Sequence, residues 1–393
     1  MEYVKGVPYF SDCEKISQFP YLDKDISCDI LIVGGGIDGV IANYYLSKKF
    51  DVCLVDKSRF GMGCTSVATA LLEYQLDDYF FDLPLTEGEV EDVYRMGLWS
   101  IEQIEAFIKE HGNKCGFRKV PSFLYTLSKF KSKNIEKEFE FRRERGFSAK
   151  LLKNENFDFE YKTGLYCENG GAEFNPYLFT KQLLEASSNK DKMFENTEID
   201  SFLNGKSKKI AKTNFGQTIE CKKIIFATGF NFELLRKKNL CERDISYTIV
   251  TNAVKDFKIY NNALLQDDQS PYHYIRHLPD GRIMVGGEDV KFDGKIISEK
   301  AAEKKYKALE DYLYLLFPKL RGKVKIEYKF CGCFGSTENN LGLIGKTEDE
   351  NVLYLISCGA NGIINAIYGA KLLEDVILGK KNPFENLFSP LRD

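Results

Sequence analysis

Three glycines and one acid near the start of the chain have the spacing of a phosphate-binding turn. Gly34, Gly36 and Gly39 follow an apolar run, and Asp56 ends the next apolar run. Gly34 permits a sharp turn out of a strand, Gly36 a close backbone approach to a pyrophosphate, and Gly39 tight helix–sheet packing. The helix N-terminus offers unpaired N–H groups, and an acid about 20 residues further on can accept hydrogen bonds from ribose hydroxyls. The order predicts a dinucleotide-binding βαβ unit over residues 29–56, with a structural turn in an unrelated α/β sheet as the alternative.

Composition and charge narrow the class of protein. The chain has 393 residues, which predicts two domains, and a net charge of −3, which gives no basic footprint for nucleic acid. The first residues lack the apolar core of a signal peptide, and no run approaches the roughly 18 apolar residues of a membrane span. We therefore expect a cytoplasmic protein without a membrane span.

Cysteine and histidine usage argues against a metal site. The 11 cysteines are scattered without a CxxC pair, and the chain has three histidines, His111, His273 and His277. Zinc sites need closely spaced cysteine and histidine ligands, so we expect reduced, mostly buried thiols and no metal.

The secondary-structure elements that must position these residues are predicted from the sequence pattern, beginning with the first half of the chain. Polar, aromatic residues 1–28 suggest an extended arm, and the small residues after Ser58 suggest a loop entering a helix over 67–72. Apolar residues recur at helical spacing over 86–109, and residues 131–146 form a charged pattern typical of a solvated helix.

The second half is richer in strands. Asn175 and Pro176 have the N-cap and first-turn positions of a helix. Pro279-Asp280-Gly281 predicts a hairpin turn. The other predicted elements are strands at 123–127, 224–229, 245–254, 272–278, 282–286, 324–334 and 352–356, and helices at 177–187 and 363–378. A strand-rich section thus interrupts a doubly wound module, which argues against a simple NAD dehydrogenase with one continuous nucleotide domain.

Several short motifs in this order resemble those of the D-amino-acid oxidase-like family of FAD-dependent oxidoreductases, which includes glycine, sarcosine and γ-glutamylputrescine oxidases. Besides the glycine fingerprint, the motifs are Gly63-Cys64-Thr65-Ser66, the segment 171–176, Ala227-Thr228-Gly229, Tyr274-x-Arg276 with 279–282, 342–345, and Gly359-Ala360-Asn361-Gly362. The resemblance implies an α/β fold of the glutathione-reductase-like FAD/NAD(P)-binding superfamily. Its Rossmann-type FAD-binding domain is expected at 1–75, 150–232 and 336–393. A mixed-sheet α+β substrate domain is expected at 76–149 and 233–335.

The resemblance implies FAD as the cofactor. The fingerprint would hold the ADP half, and the glycine turn near the C-terminus would meet the flavin with backbone N–H groups. We expect non-covalent FAD, although Cys331 and Cys333 flank Gly332, where some relatives carry a flavin-linked cysteine. The cofactor-binding residues implied are Gly34, Gly36, Ile37, Gly39, Asp56, Lys57, Gly63, Cys64, Thr65, Ser66, Ile199, Thr228, Gly229, Gly359, Asn361, Gly362 and Ile363.

On the substrate side, the resemblance implies an arginine that grips a carboxylate with help from tyrosine. Arg276 and Tyr274 share one strand face and are the candidates, with Tyr247 as a weaker one. The alternative for Arg276 is a solvent-facing strand residue, and His273 and His277 point to the other face. Residues 67–75 contain neither the histidine of hydroxy-acid oxidases nor the arginine of sarcosine oxidases. Glu73 and Gln75 remain there, and they either favour a cationic or neutral amine or anchor a helix end.

We therefore expect an enzyme that oxidises a C–N bond of a small amine or amino acid. Hydride transfer to flavin N5 would give an imine that water hydrolyses, and the electrons would pass to oxygen or an unknown carrier. The alternatives are a 2-hydroxy-acid or polyol dehydrogenase and a flavoprotein subunit without independent turnover.

Overall fold

A computed structural model describes residues 4–12, 18–204, 208–230, 240–292, 294, 297–359 and 361–392. In these ranges the strands are β1 Val4–Gly6, β2 Ile26–Ser27, β3 Ile30–Val33, β4 Val52–Val55, β5 Leu71–Glu73, β6 Arg118–Thr126, β7 Lys150–Leu152, β8 Thr163–Glu173, β9 Met193–Phe194, β10 Ile199–Asn204, β11 Lys209–Thr213, β12 Thr218–Cys221, β13 Lys223–Phe226, β14 Glu242–Thr251, β15 Leu264–Asp267, β16 His273–His277, β17 Ile283–Lys291, β18 Ile326–Ser336, β19 Leu343–Lys346 and β20 Val352–Ile356. The helices are α1 Ile37–Leu46, α2 Glu87–His111, α3 Ser132–Glu144, α4 Pro176–Ala186, α5 Glu299–Leu316, α6 Gly362–Ile377 and α7 Glu385–Phe388.

The predicted βαβ unit lies in a six-stranded sheet. Its strand order is β19-β20-β13-β3-β4-β9, and every pairing is parallel except that of β19 with β20. All four residues of β3 and of β4 are buried, as continuous apolar runs predict for a parallel sheet. The carboxyl ends of β4, β3, β13 and β20 therefore meet at one edge, where open α/β sheets bind ligands.

The second large sheet is mixed and has ten strands. Its order is β1-β18-β14-β17-β16-β15-β6-β8-β5, with β7 also paired to β8. One face packs on α5 through an apolar core that includes Ile249, Ile275, Val285 and Leu313. A third sheet of four strands, β10-β11-β12-β2, adjoins the six-stranded sheet. The mixed α/β architecture predicted from the sequence is confirmed.

Helix boundaries follow the capping residues. Thr86 caps α2 in a capping box with Glu89, and the Asn175 side chain accepts the Leu178 N–H over 3.0 Å at the start of α4. The predicted hairpin at 279–281 is present, since the N–H of Leu278 donates to the carbonyl of Arg282.

Three local predictions are wrong. The helix expected over 67–72 is a short 3₁₀ turn, Cys64–Val67, followed by β5, because Leu71 pairs with Glu173 of β8. The helix expected to be solvated, α3, buries the Arg142–Glu138 ion pair of 2.8 Å. The N-terminal segment, expected as an extended arm, contributes strands to two sheets. β1 pairs with β18, and β2 pairs with β12.

The pairing of β5, β7 and β8 bears on the predicted domain division. These strands, at 71–73, 150–152 and 163–173, belong to the ten-stranded sheet. The expected boundaries at residues 75 and 150 therefore do not coincide with the strand pairing, and the division itself stays a prediction.

Candidate active site

The glycine fingerprint forms a tight turn between β3 and α1. Gly34 has a φ of +112°, and a Cβ at Gly39 would collide with the Gly34 carbonyl. A Cβ at Gly36 would meet only Thr65 Oγ1, at 3.5 Å. Gly34 and Gly39 are therefore needed for the turn itself, whereas Gly36 borders open space at the start of α1.

Asp56, at the end of β4, is fixed next to that turn. Its carboxylate accepts the Gly35 N–H over 2.6 Å and the Ser58 N–H over 2.7 Å. Burial raises its pKa, and these two hydrogen bonds oppose that rise. Lys57 is exposed beside it. Each carboxylate oxygen keeps a second lone pair, so Asp56 can still accept from a ribose hydroxyl.

The loop after Gly63 is fastened to the helix start. Thr65 Oγ1 accepts the Ile37 N–H over 2.9 Å, and Ser66 Oγ donates to the Gly63 carbonyl over 2.8 Å. Cys64 Sγ donates to the Cys333 carbonyl over 3.1 Å, and burial raises the pKa of the Cys64 thiol to about 12. The Thr65 and Ser66 hydroxyls thus hold the loop against α1, as caps would.

Two further turns reach the same edge of the sheet. Gly229, after β13, has a φ of +60°, and nothing lies within 4 Å of a Cβ built there. Thr228 precedes it, partly exposed. Ile199 is a buried residue at the start of β10, and the nearby Thr197 N–H donates to the Asp56 carbonyl over 2.8 Å. Ile199 therefore lies toward the Asp56 end of the edge.

The C-terminal turn connects the two large sheets. Gly359 has a φ of +81°, and its N–H donates to Gly335 of β18 over 2.8 Å. Asn361 Nδ2 donates over 2.5 Å to the carbonyl of Gln75, just after β5. Gly362 and Ile363 start α6, and Ala360 lies outside the described residues.

Asp38 was missed by sequence reasoning. It lies in the first turn of α1, and its Oδ2 accepts the Ser357 N–H at the end of β20, over 3.1 Å. Burial raises the pKa of Asp38 to about 6. The carboxyl thus joins the fingerprint to the C-terminal turn, and sequence reasoning missed it because the fingerprint does not specify that position.

The Arg276 prediction is wrong. Its side chain is 1 % exposed, and Nε pairs with Glu173 Oε2 over 2.5 Å. Nη1 donates to the carbonyls of Thr69 and Ala70 over 2.5 and 3.2 Å, and Nη2 to that of Phe174 over 2.9 Å. A guanidinium with its donors spent on the protein cannot grip a substrate carboxylate bidentately.

Tyr247 also lies away from the site expected from the sequence. It is buried on the α5 side of the sheet, and its ring centroid lies 5.8 Å from that of Tyr306. A register irregularity between Ile245 and Tyr247 sets which residues of β14 face each side. The neighbouring Ser246 points to the opposite side, where its Oγ lies 3.3 Å from Tyr274 Oη.

Tyr274 remains a candidate, as part of what we call the tyrosine face: Tyr272, Tyr274, Ser246 and Asp289. Tyr272 and Ser246 hydrogen-bond to the Asp289 carboxylate, and Tyr274 hydrogen-bonds to Thr69. The tyrosine face thus looks toward the loop that fastens α1. Burial raises the pKa of Asp289 to about 6.

Glu73 completes an acidic surface beside the tyrosine face. It is 6 % exposed, and burial, followed by the charge of Asp77, raises its pKa to about 8. Gln75 Nε2 donates to Glu73 Oε2 over 2.7 Å. The charge of Asp77 also raises the pKa of Tyr272, so Asp77 lies near both residues.

The comparisons with known proteins agree with this geometry. Residues 29–376 match the family described as DAO, FAD dependent oxidoreductase. The chain belongs to the DAO family of FAD-dependent oxidoreductases. Two relatives match nearly the whole length of this chain. A putative Rieske 2Fe-2S iron–sulfur protein, YhfW of Bacillus subtilis, is 25% identical over 98% of this chain and 75% of its own. Gamma-glutamylputrescine oxidoreductase of Escherichia coli is 23% identical over 96% and 90%.

Solved structures share the DAO fold. Glycine oxidase from Geobacillus kaustophilus superposes with a TM-score of 0.78 at 16% identity, covering 93% of this chain and 99% of the other. L-proline dehydrogenase from P. horikoshii gives 0.77 at 20% identity, covering 95% and 98%. The family and fold expected from the motifs are confirmed.

FAD is the cofactor of the DAO family, and the sheet edge fits it. Glycines 36, 63 and 229 border space that a Cβ would enter without contacting backbone, and the N-terminus of α1 and Asp56 adjoin that space. Which individual residues contact FAD stays a prediction. Cys331 and Cys333 are both buried, on either side of Gly332, which faces Val67. Non-covalent attachment also stays a prediction.

The described part of the chain has neither a membrane-spanning helix nor a cluster of metal ligands. None of its helices has the length and apolar character needed to cross a membrane. Nor do those residues bring three histidine, cysteine or acidic side chains together as a metal site.

Proposed function

We propose that this oxidoreductase oxidises the C–N bond of a small cationic amine. FAD would take a hydride from the carbon that bears the nitrogen, the nitrogen would lose a proton, and water would hydrolyse the resulting imine to a carbonyl compound and an amine. The chain's own residues would hold the amine and receive its proton.

The acidic surface beside the tyrosine face carries this proposal. Asp289 and Asp77 both lie close enough to Tyr272 to raise the pKa of its hydroxyl, and Glu73 lies near Asp77. An ammonium group gains most from a buried, ionised carboxylate, because the low dielectric strengthens their attraction. Asp289 Oδ1 is buried without a hydrogen-bond partner and is suited to accept from an ammonium.

The state of Arg276 argues in the same direction. This arginine shares a strand face with Tyr272 and Tyr274, yet it is bound to Glu173 and to three carbonyls. A substrate carboxylate at the tyrosine face would meet Asp289, which is mostly ionised at neutral pH, and like charges repel. We infer that an amine without a nearby carboxylate is preferred over an α-amino acid.

Proton transfer is assigned to the carboxyl groups. Bound ammonium must lose a proton before its carbon can release a hydride. Asp289, with a pKa of about 6, is mostly ionised at neutral pH and can accept that proton through a direct hydrogen bond. The two tyrosine rings would flank the alkyl part of the amine and exclude water from it.

Relatives lend support of different kinds. The Escherichia coli relative is named for an amine substrate, and two fold neighbours are named glycine oxidase and L-proline dehydrogenase. All three names describe oxidation next to nitrogen. Whether oxygen or another carrier takes the electrons from this chain is open to direct measurement of oxygen uptake.

The experiment is anaerobic bleaching of the FAD absorbance by a substrate panel. Alkylamines and diamines are compared with the matching α-amino acids and 2-hydroxy acids, each at the same concentration and pH. We expect the amines to bleach fastest. Bleaching by hydroxy acids alone would favour the alternative alcohol dehydrogenase, and no bleaching by any compound would favour a subunit without turnover.

A further inference from the structure

His273 lies directly behind the tyrosine face, on the α5 side of the sheet. Its Nδ1 is 2.9 Å from Asp267 Oδ2, and its Nε2 is 3.3 Å from Glu288 Oε1. Ionised carboxylates only accept hydrogen bonds, so both ring nitrogens must carry a proton to satisfy both partners. The geometry is therefore that of an imidazolium between two acids.

The groups around the imidazolium hold both acids in place. Asp267 also accepts the Tyr312 hydroxyl over 2.6 Å, and the Tyr312 ring stacks on the imidazole with 3.8 Å between centroids. Tyr125 Oη lies 2.6 Å from Tyr312 Oη, and Lys305 Nζ donates to Glu288 Oε2 over 2.8 Å. The titratable groups facing His273 from the packed elements are thus Asp267, Glu288, Tyr312, Tyr125 and Lys305.

The charge balance favours the protonated ring. Burial lowers the pKa of His273, but hydrogen bonds and charges from Asp267 and then Glu288 outweigh it, and the pKa is raised overall. His277, four positions from it on the same face, has the opposite environment. Its pKa is lowered, first by burial and then by Arg118, and its Nε2 is buried without a partner.

The imidazolium is connected to the tyrosine face through the backbone. Tyr272 and Tyr274 are the chain neighbours of His273, and Glu288 is the chain neighbour of Asp289. Glu288 has a φ of +57°, in the irregular stretch where the β14–β17 pairing shifts register. An ion pair that fixes Glu288 therefore also fixes the direction of the Asp289 side chain.

We propose that protonated His273 is a positioning residue that clamps β16 to the Glu288 bend and so sets the tyrosine face for amine binding. The inference rests on the proposed function, since it assumes that Tyr272 and Asp289 bind the amine. A neutral imidazole donates one hydrogen bond, so deprotonation leaves one carboxylate without its partner and loosens the bend. Amine binding should then weaken at alkaline pH while the chemical step is kept.

The test compares His273→Gln with His277→Gln, both as the FAD-loaded protein. For an amine that bleaches the flavin, KM and kcat are measured from pH 6 to 9.5. We expect the wild-type KM to rise about tenfold toward alkaline pH, the loss of one charge-assisted hydrogen bond. In His273→Gln, KM should be raised about tenfold at pH 7 and should lose its rise toward alkaline pH, with kcat within about twofold. His277→Gln should follow the wild type.

A second variant and a binding probe keep the test decisive if His273→Gln folds poorly or if the substrate is oxidised slowly. Glu288→Gln removes the same ion pair and should also flatten the KM profile. Tetramethylammonium has neither an N–H proton to lose nor a nitrogen lone pair to form an iminium, so it reports binding alone through the flavin difference spectrum. An unchanged pH profile in both His273→Gln and Glu288→Gln overturns the inference while leaving the proposed function intact. A wild type that neither oxidises amines nor binds tetramethylammonium overturns the proposed function, and the inference with it.

Discussion

Asp38 and Ser357 join two parts of the chain that are 319 residues apart, through a 3.1 Å hydrogen bond from the Ser357 N–H to Asp38 Oδ2. The bond connects the first turn of α1 to the end of β20, across the edge where the FAD fingerprint and the C-terminal turn meet. A carboxyl in the first turn of a helix is favoured by the helix dipole, yet burial dominates here and raises its pKa to about 6. Its charge therefore opposes folding.

Replacing this acid should stabilise the protein near neutral pH. The folded carboxyl keeps its proton to about pH 6, whereas the unfolded one has a pKa of 3.8, so rising pH over that interval lowers stability. Asp38→Asn keeps an oxygen for the Ser357 N–H and removes the charge. We expect its melting temperature to exceed that of the wild type at pH 7.5, by the equivalent of about 3 kcal/mol, and to come close to it near pH 4. Equal differences at both pH values would contradict this account.

Gly36 and Gly39 should fail in different ways. Gly36→Ala puts a methyl group into open space with Thr65 Oγ1 at 3.5 Å, so the protein should fold but lose at least about tenfold in FAD affinity. Gly39→Ala collides with the Gly34 carbonyl and should lose about 3 kcal/mol or more of folding stability. Thermal denaturation of the apoprotein and FAD titration by fluorescence separate the two effects. A Gly36→Ala protein with normal FAD affinity would place the cofactor elsewhere.

Arg276 should behave as a structural residue. Arg276→Met leaves Glu173 with a buried charge that has lost this partner, and we expect a loss of about 3–5 kcal/mol in urea denaturation. Arg282→Met, on the same hairpin, is the control. It breaks a more exposed ion pair with Asp280 and should cost less than about 1 kcal/mol. Normal stability in Arg276→Met, with a raised KM only for carboxylate-bearing substrates, would restore the role expected from the sequence.

Asp289 should set the acidic limb of the pH profile. Since its carboxyl ionises near pH 6, kcat/KM for a cationic amine should rise between about pH 5 and 7. In Asp289→Asn we expect that rise to disappear and kcat/KM at pH 7 to fall about tenfold or more. Asp280→Asn, at the hairpin turn, serves as the matched surface control. A wild-type profile in Asp289→Asn would exclude Asp289 from binding and proton transfer.

The nucleotide side was predictable because its determinants are local. The turn at Gly34 and the packing of Gly39 depend on a few consecutive residues, and each leaves its mark in the sequence. The helix starts at Thr86 and Asn175 were readable for the same reason, since a cap acts on N–H groups two or three residues away.

The substrate side was not predictable, because its determinants are distant. Alternation places Arg276 and Tyr274 on one face, but not which partner reaches Arg276 first, and Glu173 lies 103 residues earlier in the chain. The face of Tyr247 depends on a register irregularity in the pairing with β17, which lies about 40 residues later in the chain. Glu73 was expected either to favour an amine substrate or to anchor a helix end, and pairing with β8 makes its segment a strand.

The order of strands in the six-stranded sheet also has a consequence for synthesis on the ribosome. β3, which ends at Val33, is flanked by β13 at 223–226, and β13 in turn by β20 at 352–356. At about 5–20 residues per second, the nascent chain would wait roughly 15–65 s between making β3 and making β20. During that time one edge of the parallel strands stays unpaired and open to other chains. Heterologous expression should therefore gain more from added chaperones, which cover that edge while it is unpaired, than from changes to the protein's surface.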